Sequence, residues 1–270
     1  MPNPDLDRVA AIIRTAAAEE LLPRYGRLAA GDISEKAPGD FVTVADGAME
    51  RRLEAELGEL SPSSLVVGEE GAFSDRGLLS RLGEAQSAWI IDTLDGTANF
   101  AGGLPMFAVI VAFAVHGKVA AAWIYDPLGD RMALAEIGAG AWMAGKRMRV
   151  ATAAEPARMR GVLNFRYGDR TIVTRMAARC HRLGPLITLG CAGQEYLALC
   201  SGKLHFAQYT RLLPWDHAAG SLLHREAGGH AALFDGGAYT PVVNAGPYLL
   251  APDRESWSEI RAILAGEEES

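Results

Sequence analysis

The sequence predicts a layered protein of the α+β and α/β type, with an antiparallel sheet in its first part and an α/β arrangement in its second. The chain has 270 residues, of which 49% are hydrophobic and 22% are charged, as is typical of a globular protein with a sizeable core. Residues 106–150 show strand after strand, whereas later residues alternate between strand and helix patterns. We therefore divide the chain into 1–150 and 151–270, with a boundary near 151–160.

Two helices are predicted before the first of these strands. Asp5 is a good N-cap residue, so the first helix is expected to begin directly after it. Four apolar residues at helical spacing predict a second, amphipathic helix that begins near Asp46. These apolar residues are Met49, Leu53, Leu57 and Leu60.

Two short apolar runs end in acidic residues. Residues 65–67 are followed by Gly-Glu-Glu, and residues 89–91 are followed by Asp-Thr-Leu-Asp. Each run predicts a buried strand that places carboxylates at its C-terminal end.

The strands of residues 106–150 are predicted to pair with one another because short turn sequences join them, namely HGK, DPLGD, EIGAG and AGK. The uncharged stretch 96–117 approaches the length of a membrane span. Glycines and a proline interrupt its first half, so we expect two buried strands and no membrane segment.

The second part is predicted to alternate between strands and helices. The strand patterns are GVLNF and KLHFAQY, and the helix patterns cover 169–182, 192–201 and 216–227. A final strand and helix are expected to end in EEES.

Charge and cysteine content exclude several classes of protein. The 26 Lys and Arg residues against 33 Asp and Glu residues give a net charge of −7, which does not indicate a protein that coats nucleic acid or an anionic membrane. The three cysteines are an odd number and form no disulfide framework. The N-terminal residues are acidic where a signal peptide is basic and apolar, so a cytoplasmic location is expected.

Several familiar catalytic patterns are absent or incomplete. Residues 140–147 resemble a phosphate-binding loop up to Lys146, but Arg147 stands where a magnesium-binding Ser or Thr is needed. The sequence has no G-x-S-x-G elbow and no pair of histidines at zinc-binding spacing. Serine and zinc mechanisms are therefore disfavoured.

Carboxylates are concentrated at predicted strand ends and at a helix start, and we expect little positive charge near them. They are Asp46, Glu69, Glu70, Asp92, Asp95 and Asp216. Crowded ionised carboxylates require a compensating cation. Ligation by oxygen alone favours Mg²⁺, with Mn²⁺ as a substitute.

Gly96 and Thr97 follow directly and suit an anion. Gly96 allows a ligand to approach the backbone, and Thr97 is expected to begin a short helix. A cation site beside an anion cradle indicates phosphoryl chemistry.

Taken together, these motifs resemble the inositol monophosphatase family of magnesium-dependent, lithium-sensitive phosphomonoesterases. The resemblance rests on Gly-Glu-Glu at 68–70, D-x-x-D-G-T-x-N-F at 92–100 and W-D-x-A-A-G at 215–220, and it extends from Asp40 to the EAGG sequence at 226–229. It implies an αβαβα sandwich, a homodimer, and two or three Mg²⁺ ions in each active site.

The resemblance also implies roles for individual residues. Glu69, Asp92 and the carbonyl of Leu94 would bind one metal, while Asp92, Asp95 and Asp216 would bind a second. The phosphate would be held at Asp95, Gly96 and Thr97. Asp46 would hydrogen-bond Thr97, which orients the attacking water, so that Asp46, Thr97 and Glu69 are the expected catalytic residues. Glu70 would lie just outside the ligand set.

Two departures from the family pattern concern the substrate pocket, which is expected to include Gly190, Cys191, Ala192 and Tyr209. Tyr209 stands where inositol-specific members have a Glu, and the 190–195 segment differs from their usual G-[ST]-A-A sequence. These differences argue against inositol phosphate as the main substrate. Sugar phosphates, fructose bisphosphate, histidinol phosphate and nucleotides stay open, since one pocket residue changes selectivity by about 1–3 kcal/mol.

A different class of function also stays open, because some relatives associate with transcription machinery. Basic residues at 146–149 and 158–160 are places where RNA or protein binding could be tested, although solvated surface charge is the favoured explanation for them. We expect a small phosphorylated substrate, no membrane partner and no nucleic acid.

Overall fold

A computed structural model describes residues 3–267, and these residues form helices and strands in layers. The helices are α1 (Leu6–Glu20), α2 (Val44–Leu60), α3 (Glu69–Ser74), α4 (Gly77–Glu84), α5 (Thr97–Ala101), α6 (Arg170–Ala177), α7 (Ala192–Cys200), α8 (Pro214–Glu226) and α9 (Arg254–Ala265). The strands of the first part are β1 (Ile33–Ala37), β2 (Asp40–Thr43), β3 (Leu65–Gly68), β4 (Ser87–Asp95), β5 (Ala108–Val115), β6 (Lys118–Asp126), β7 (Arg131–Glu136), β8 (Gly140–Met143) and β9 (Lys146–Arg147). The remaining strands are β10 (Gly161–Leu163), β11 (Leu186–Ile187), β12 (Phe206–Arg211), β13 (His230–Leu233) and β14 (Ala245–Ala251).

Two sheets organise the chain. The larger has the strand order β3-β4-β5-β6-β7-β8-β9, in which β3 and β4 are parallel and the following neighbours are antiparallel. The smaller has the order β11-β10-β12-β14-β13, with parallel pairing on both sides of β10 and antiparallel pairing on both sides of β14. The strands β1 and β2 form a separate antiparallel hairpin.

The hydrophobic core is divided among the faces of the two sheets. Helices α1 and α2 cover one face of the larger sheet. Helices α7 and α8 fill the space between the sheets, and α6 and α9 cover the outer face of the smaller sheet. This αβαβα order confirms the predicted fold class.

The sequence-based boundaries hold for most elements. Asp5 caps α1 as predicted, and α2 begins two residues before Asp46 because the Thr43 side chain caps it. The predicted 169–182 helix ends at Ala177, and a separate turn of 3₁₀ helix follows. Strand β12 lies a few residues later than its KLHFAQY pattern, because the chain beyond α7 first continues as a turn.

Other elements were not predicted. The β1–β2 hairpin and the helices α3 and α4 have no counterpart in the prediction. The last strand–helix pair contains two strands, β13 and β14, before α9. The final residues of the EEES segment, 268–270, lie outside the described residues.

The stretch 96–117 contains the short helix α5 and most of the buried strand β5, in line with its interruption by glycine and proline. Between residues 3 and 267, no helix has both the length and the apolar character that crossing a bilayer requires. The division near 151–160 stays a prediction, although each sheet lies within one part and the core between the sheets draws on both.

Close packing of α7 on α8 makes a glycine substitution informative. A Cβ at Gly220 would overlap the ring of Tyr196, whereas a Cβ at Gly58 in α2 would meet no atom within 4 Å. We expect Gly220→Ala to lower the free energy of unfolding by about 1–3 kcal/mol because the core is overpacked. Gly58→Ala should raise it by about 0.5–1 kcal/mol, since alanine favours helix.

Urea unfolding of both variants beside the wild type measures these differences. A stabilised Gly220→Ala variant would show that the α7–α8 contact is looser than described.

Candidate active site

Parallel pairing of β3 with β4 brings the first two predicted metal ligands together. Gly68 lies beside Ile91 in this pairing, so the next residues along the chain, Glu69 and Asp92, emerge at the same edge. Asp216, the third residue of α8, completes a group in which one carboxylate oxygen from each residue lies within 4.8 Å of the others. Its place in the first turn of α8 suits an anionic group.

A bulge in β4 turns Asp92 and Asp95 to the same side of the sheet. Asp92 pairs with Ile110 and Asp95 with Ala108, so three steps along β4 match two steps along β5. In a regular strand, residues three apart point to opposite faces, and one extra residue reverses this. Leu94 accordingly packs into the core on the α2 side, while both aspartates line a single cavity.

Asp95 is placed beside the metal group but makes contacts of its own. Its Oδ2 accepts hydrogen bonds from the Gly193 N–H at 2.5 Å and from Cys191 Sγ at 3.0 Å. The close set of three carboxylates does not include Asp95. Its expected role as a ligand therefore stays a prediction.

Asp46 and Thr97 are in direct contact. Thr97 Oγ1 lies 3.1 Å from Asp46 Oδ1 and 2.9 Å from the carbonyl oxygen of Leu94, and these two acceptors share its single hydroxyl proton. Asp46 Oδ2 accepts from the N–H and hydroxyl of Thr43 at 2.8 and 2.6 Å, which fixes the carboxylate at the start of α2. The hydrogen bond expected between Asp46 and Thr97 is present.

Gly96 precedes Thr97 in a conformation that requires glycine. Its φ is +85°, and a Cβ there would lie 2.8 Å from the carbonyl oxygen of Met106. Helix α5 begins at the next residue. Gly96 and Thr97 both line the cavity.

The cavity has a volume of about 430 Å³ and is lined by both parts of the chain. All four predicted pocket residues line it: Gly190, Cys191, Ala192 and Tyr209. Asn99 in α5 ties the two sides together, because its amide donates to the carbonyl oxygens of Met106 at 2.7 Å and Leu189 at 2.9 Å.

Tyr209 forms a hydrogen-bonded pair with Glu195 in the wall of the cavity. Its hydroxyl donates to Glu195 Oε2 at 2.9 Å, and Glu195 also accepts from the backbone N–H of Leu189 at 3.2 Å. Burial raises the pKa of Glu195 to about 7, although both hydrogen bonds oppose the shift. The hydroxyl proton of Tyr209 is therefore engaged by the buried carboxyl group of Glu195.

The electrostatics of the site agree with a need for cations. Burial, followed by the charge of Glu69, raises the pKa of Asp92 and of Asp216 well above the usual range. Burial also raises the pKa of Asp95, and that of Asp46 to about 7. The shared cause is that charged carboxylates lose water and face one another.

Lys36 shows that the expectation of little positive charge nearby is wrong. Its Nζ lies 2.6 Å from Glu69 Oε1 and 2.9 Å from Glu70 Oε1, and only 5% of its side chain is exposed. Burial alone would lower the pKa of Lys36, but the two carboxylates outweigh it and raise the pKa. Glu70 thus lies beside Glu69, outside the group of three.

Sequence reasoning also missed Glu50. Its carboxylate accepts from the backbone N–H groups of Glu70 at 3.0 Å and Gly71 at 2.6 Å, and so holds the start of α3. A signal existed, since Glu50 lies one helical turn after Asp46, beside the apolar stripe of α2. Nothing in the sequence around Lys36 marks it, because it belongs to the unpredicted hairpin.

The donor set fits the implied metal. Glu69, Asp92 and Asp216 offer carboxylate oxygens only, which are the ligands of Mg²⁺ and Mn²⁺. No histidine or cysteine belongs to this group within residues 3–267, as a zinc site would require.

Comparison with known proteins finds matches over most of the chain. The family model described as the inositol monophosphatase family matches residues 5–267. An inositol-1-monophosphatase of Mesorhizobium japonicum is 33% identical over 233 residues, covering 82% of each chain. A protein of Pseudomonas aeruginosa named Nus factor SuhB is 31% identical over 231 residues, again covering 82% of each chain. The solved Thermotoga maritima IMPase superposes with a TM-score of 0.81 at 25% identity, over 97% of this chain and 96% of that one.

The titration of Glu195 gives a test of the pocket wall. Its folded pKa of about 7 exceeds the ordinary value of 4.5, so its stabilising contribution is complete below pH 4.5 and is lost as the pH rises through 7. Glu195→Gln keeps an acceptor for Tyr209 but does not titrate. Between pH 5 and pH 8 the variant should therefore gain about 2 kcal/mol of stability relative to the wild type.

Urea unfolding at both pH values, with EDTA present, measures this difference, and Glu59→Gln on the exposed side of α2 is the control. Equal effects of Glu195→Gln at pH 5 and pH 8 would contradict the assigned environment of Glu195.

Proposed function

The chain belongs to the inositol monophosphatase family, and we propose that it is a Mg²⁺-dependent phosphomonoesterase that hydrolyses a small polyol, sugar or related phosphate ester. The observation that carries the proposal is the meeting of three groups at one cavity. These are the Glu69, Asp92 and Asp216 carboxylates, the Gly96–Thr97 backbone and the hydrogen-bonded Asp46–Thr97 pair.

Glu69, Asp92 and Asp216 would hold Mg²⁺, with the carbonyl of Leu94 and the carboxylate of Asp95 as the further ligands proposed. The chemistry that bound Mg²⁺ supplies is neutralisation of the phosphate, acidification of the attacking water and stabilisation of the leaving alkoxide. The backbone of Gly96 and Thr97, with Asp95, would bind the phosphate oxygens. Two metals, or a third at Glu70, are consistent with the number of carboxylates.

Asp46 and Thr97 would position the attacking water and accept its proton. When the Thr97 hydroxyl donates to Asp46 Oδ1, the Thr97 oxygen would keep its lone pairs available for the water. Burial raises the pKa of Asp46 to about 7, which suits a group that takes up a proton near neutral pH. Water is the nucleophile, so no covalent enzyme intermediate is required.

A second candidate is suggested by the relative named Nus factor SuhB, namely a regulatory protein that binds RNA or transcription machinery. The basic residues at 146–149 and 158–160 are exposed, so they are accessible to such a partner. The complete set of catalytic groups favours the phosphatase as the primary activity.

Substitution of Thr97 tests its proposed catalytic role, because it should change kcat and leave KM nearly unchanged. We expect Thr97→Ala to lower kcat about 10²-fold or more with a small effect on KM, because a group that positions the water and relays its proton is lost. Thr97→Ser keeps the hydroxyl and should retain most of the activity. Phosphate release from a panel of esters, with Mg²⁺ or with EDTA, measures both variants.

The panel comprises inositol 1-phosphate, fructose 1,6-bisphosphate, histidinol phosphate, glycerol 2-phosphate, AMP and adenosine 3′,5′-bisphosphate. Asp92→Asn and EDTA should each abolish release from the best of these substrates. Full activity in EDTA, or an unchanged kcat for Thr97→Ala, would refute the mechanism. A folded wild-type protein that hydrolyses none of them would favour the regulatory candidate.

A further inference from the structure

Two arginines line the same cavity as the carboxylates. Arg211 lies at the end of β12, and Arg166 lies in the segment that follows β10. Within residues 3–267, neither side chain has a carboxylate oxygen within 4.0 Å, so no ion pair occupies them. The charge of Arg211 nevertheless acts on Asp216, whose pKa it lowers against the effect of burial.

Arg211 is held in place by an aromatic ring. The carbon of its guanidinium lies 3.8 Å from the centroid of the Tyr167 ring. Tyr167 is itself tied to β12, because its carbonyl oxygen accepts a hydrogen bond from the Thr210 hydroxyl. A guanidinium stacked in this way keeps the N–H groups at its edge for a planar or tetrahedral oxyanion.

Arg166 brings a second guanidinium to the same ring. Its guanidinium carbon lies 5.2 Å from the Tyr167 centroid, and its Nη2 donates to the carbonyl oxygen of Gly39 at 2.7 Å. This hydrogen bond joins the segment to the turn of the β1–β2 hairpin. Gly39 has a φ of +74°, a backbone conformation that favours glycine at this turn.

The other charged residues that line the cavity are acidic, so Arg166 and Arg211 are the groups that would favour a substrate with a second anionic group. Six acidic residues line the cavity or its rim: Asp40, Glu69, Asp92, Asp95, Glu195 and Asp216. A second anionic group on a substrate would be repelled by such a wall unless a cation met it. Within the described lining, Arg166 and Arg211 are the arginine or lysine side chains available for this purpose.

We propose that Arg211 and Arg166, arranged on Tyr167, form a subsite for a second oxyanion group of the substrate. This inference rests on the proposed phosphatase function and narrows its substrate class to small phosphate esters that carry another phosphate or a carboxylate. The subsite contributes to binding and orientation of the ester, while the bond to the scissile phosphate is cleaved at the carboxylate cluster.

Matched substrates test the subsite. Glycerol 2-phosphate and 2-phosphoglycerate differ by a carboxylate, and fructose 6-phosphate and fructose 1,6-bisphosphate differ by a phosphate. In at least one pair, the wild type should have the higher kcat/KM for the substrate with two anionic groups. The pair that shows this preference indicates whether the second group is a carboxylate or a phosphate. Arg211→Gln should reduce this preference 10- to 100-fold, mainly through KM, as expected for lost charged hydrogen bonds.

Arg166→Gln should reduce the preference in the same direction but less, because Arg166 is exposed. Arg170→Gln, an exposed change in α6 outside the cavity, should leave the preference unaltered. Thermal unfolding of each variant separates a local effect from a loss of fold.

Binding measurements keep this test independent of turnover. Calorimetric titration of fructose 1,6-bisphosphate and fructose 6-phosphate into the Mg²⁺-loaded Thr97→Ala protein, in which turnover is slow, should give the same order of preference. Adding Arg211→Gln to this background should reduce the preference. If the protein hydrolyses phosphate esters but neither kcat/KM nor binding favours the substrates with a second anionic group, the subsite is refuted and the proposed phosphatase activity is not. Preferential binding without hydrolysis of any ester would support the subsite and refute the phosphatase.

Discussion

The crowding of carboxylates at one edge of the larger sheet is the constraint on which the site depends. Glu69, Asp92 and Asp216 place oxygens within 4.8 Å of one another in a partly buried wall, where like charges repel strongly. Burial and mutual repulsion raise the pKa of Asp92 and Asp216 well above their usual range, so the arrangement is unfavourable without compensation. Lys36 compensates Glu69 and Glu70, and a divalent cation is the further compensation that the proposed hydrolytic site would require.

The layers of the fold serve to hold this cluster rigidly. The parallel pair β3 and β4 aligns two ligands, and α8, packed between the sheets, delivers the third. The start of α2 fixes Asp46 through Thr43, and Gly96 allows the chain to turn directly into α5. The smaller sheet adds the wall that contains Tyr209 and Arg211. In the proposed mechanism, residues of the larger sheet and of α8 carry the chemistry, and residues of the smaller sheet contribute to recognition.

The sequence predicted the chemistry of the site better than its surroundings. The acidic residues after β3 and within β4 stand out because apolar runs end in charge, and the family resemblance supplied their expected roles. The β4 bulge could not be foreseen, since it arises from pairing with β5 and leaves no local pattern. Lys36 and Arg211 are single basic residues whose significance comes from distant partners, Glu69 and Tyr167. Hydrophobic periodicity predicted an antiparallel first part and an α/β second part because it reflects burial, and the family resemblance implied the αβαβα layer order. Short elements such as the β1–β2 hairpin bury too little to produce such a signal.

Anomalous diffraction from crystals soaked in Mn²⁺ tests the central claim most directly, because it locates the cation without relying on turnover. We predict a Mn²⁺ peak at coordination distance from carboxylate oxygens of Glu69, Asp92 and Asp216, and loss of that peak in Asp92→Asn crystals. A fully soaked wild-type crystal with no peak among these three residues would contradict the account, as would an undiminished peak in the variant.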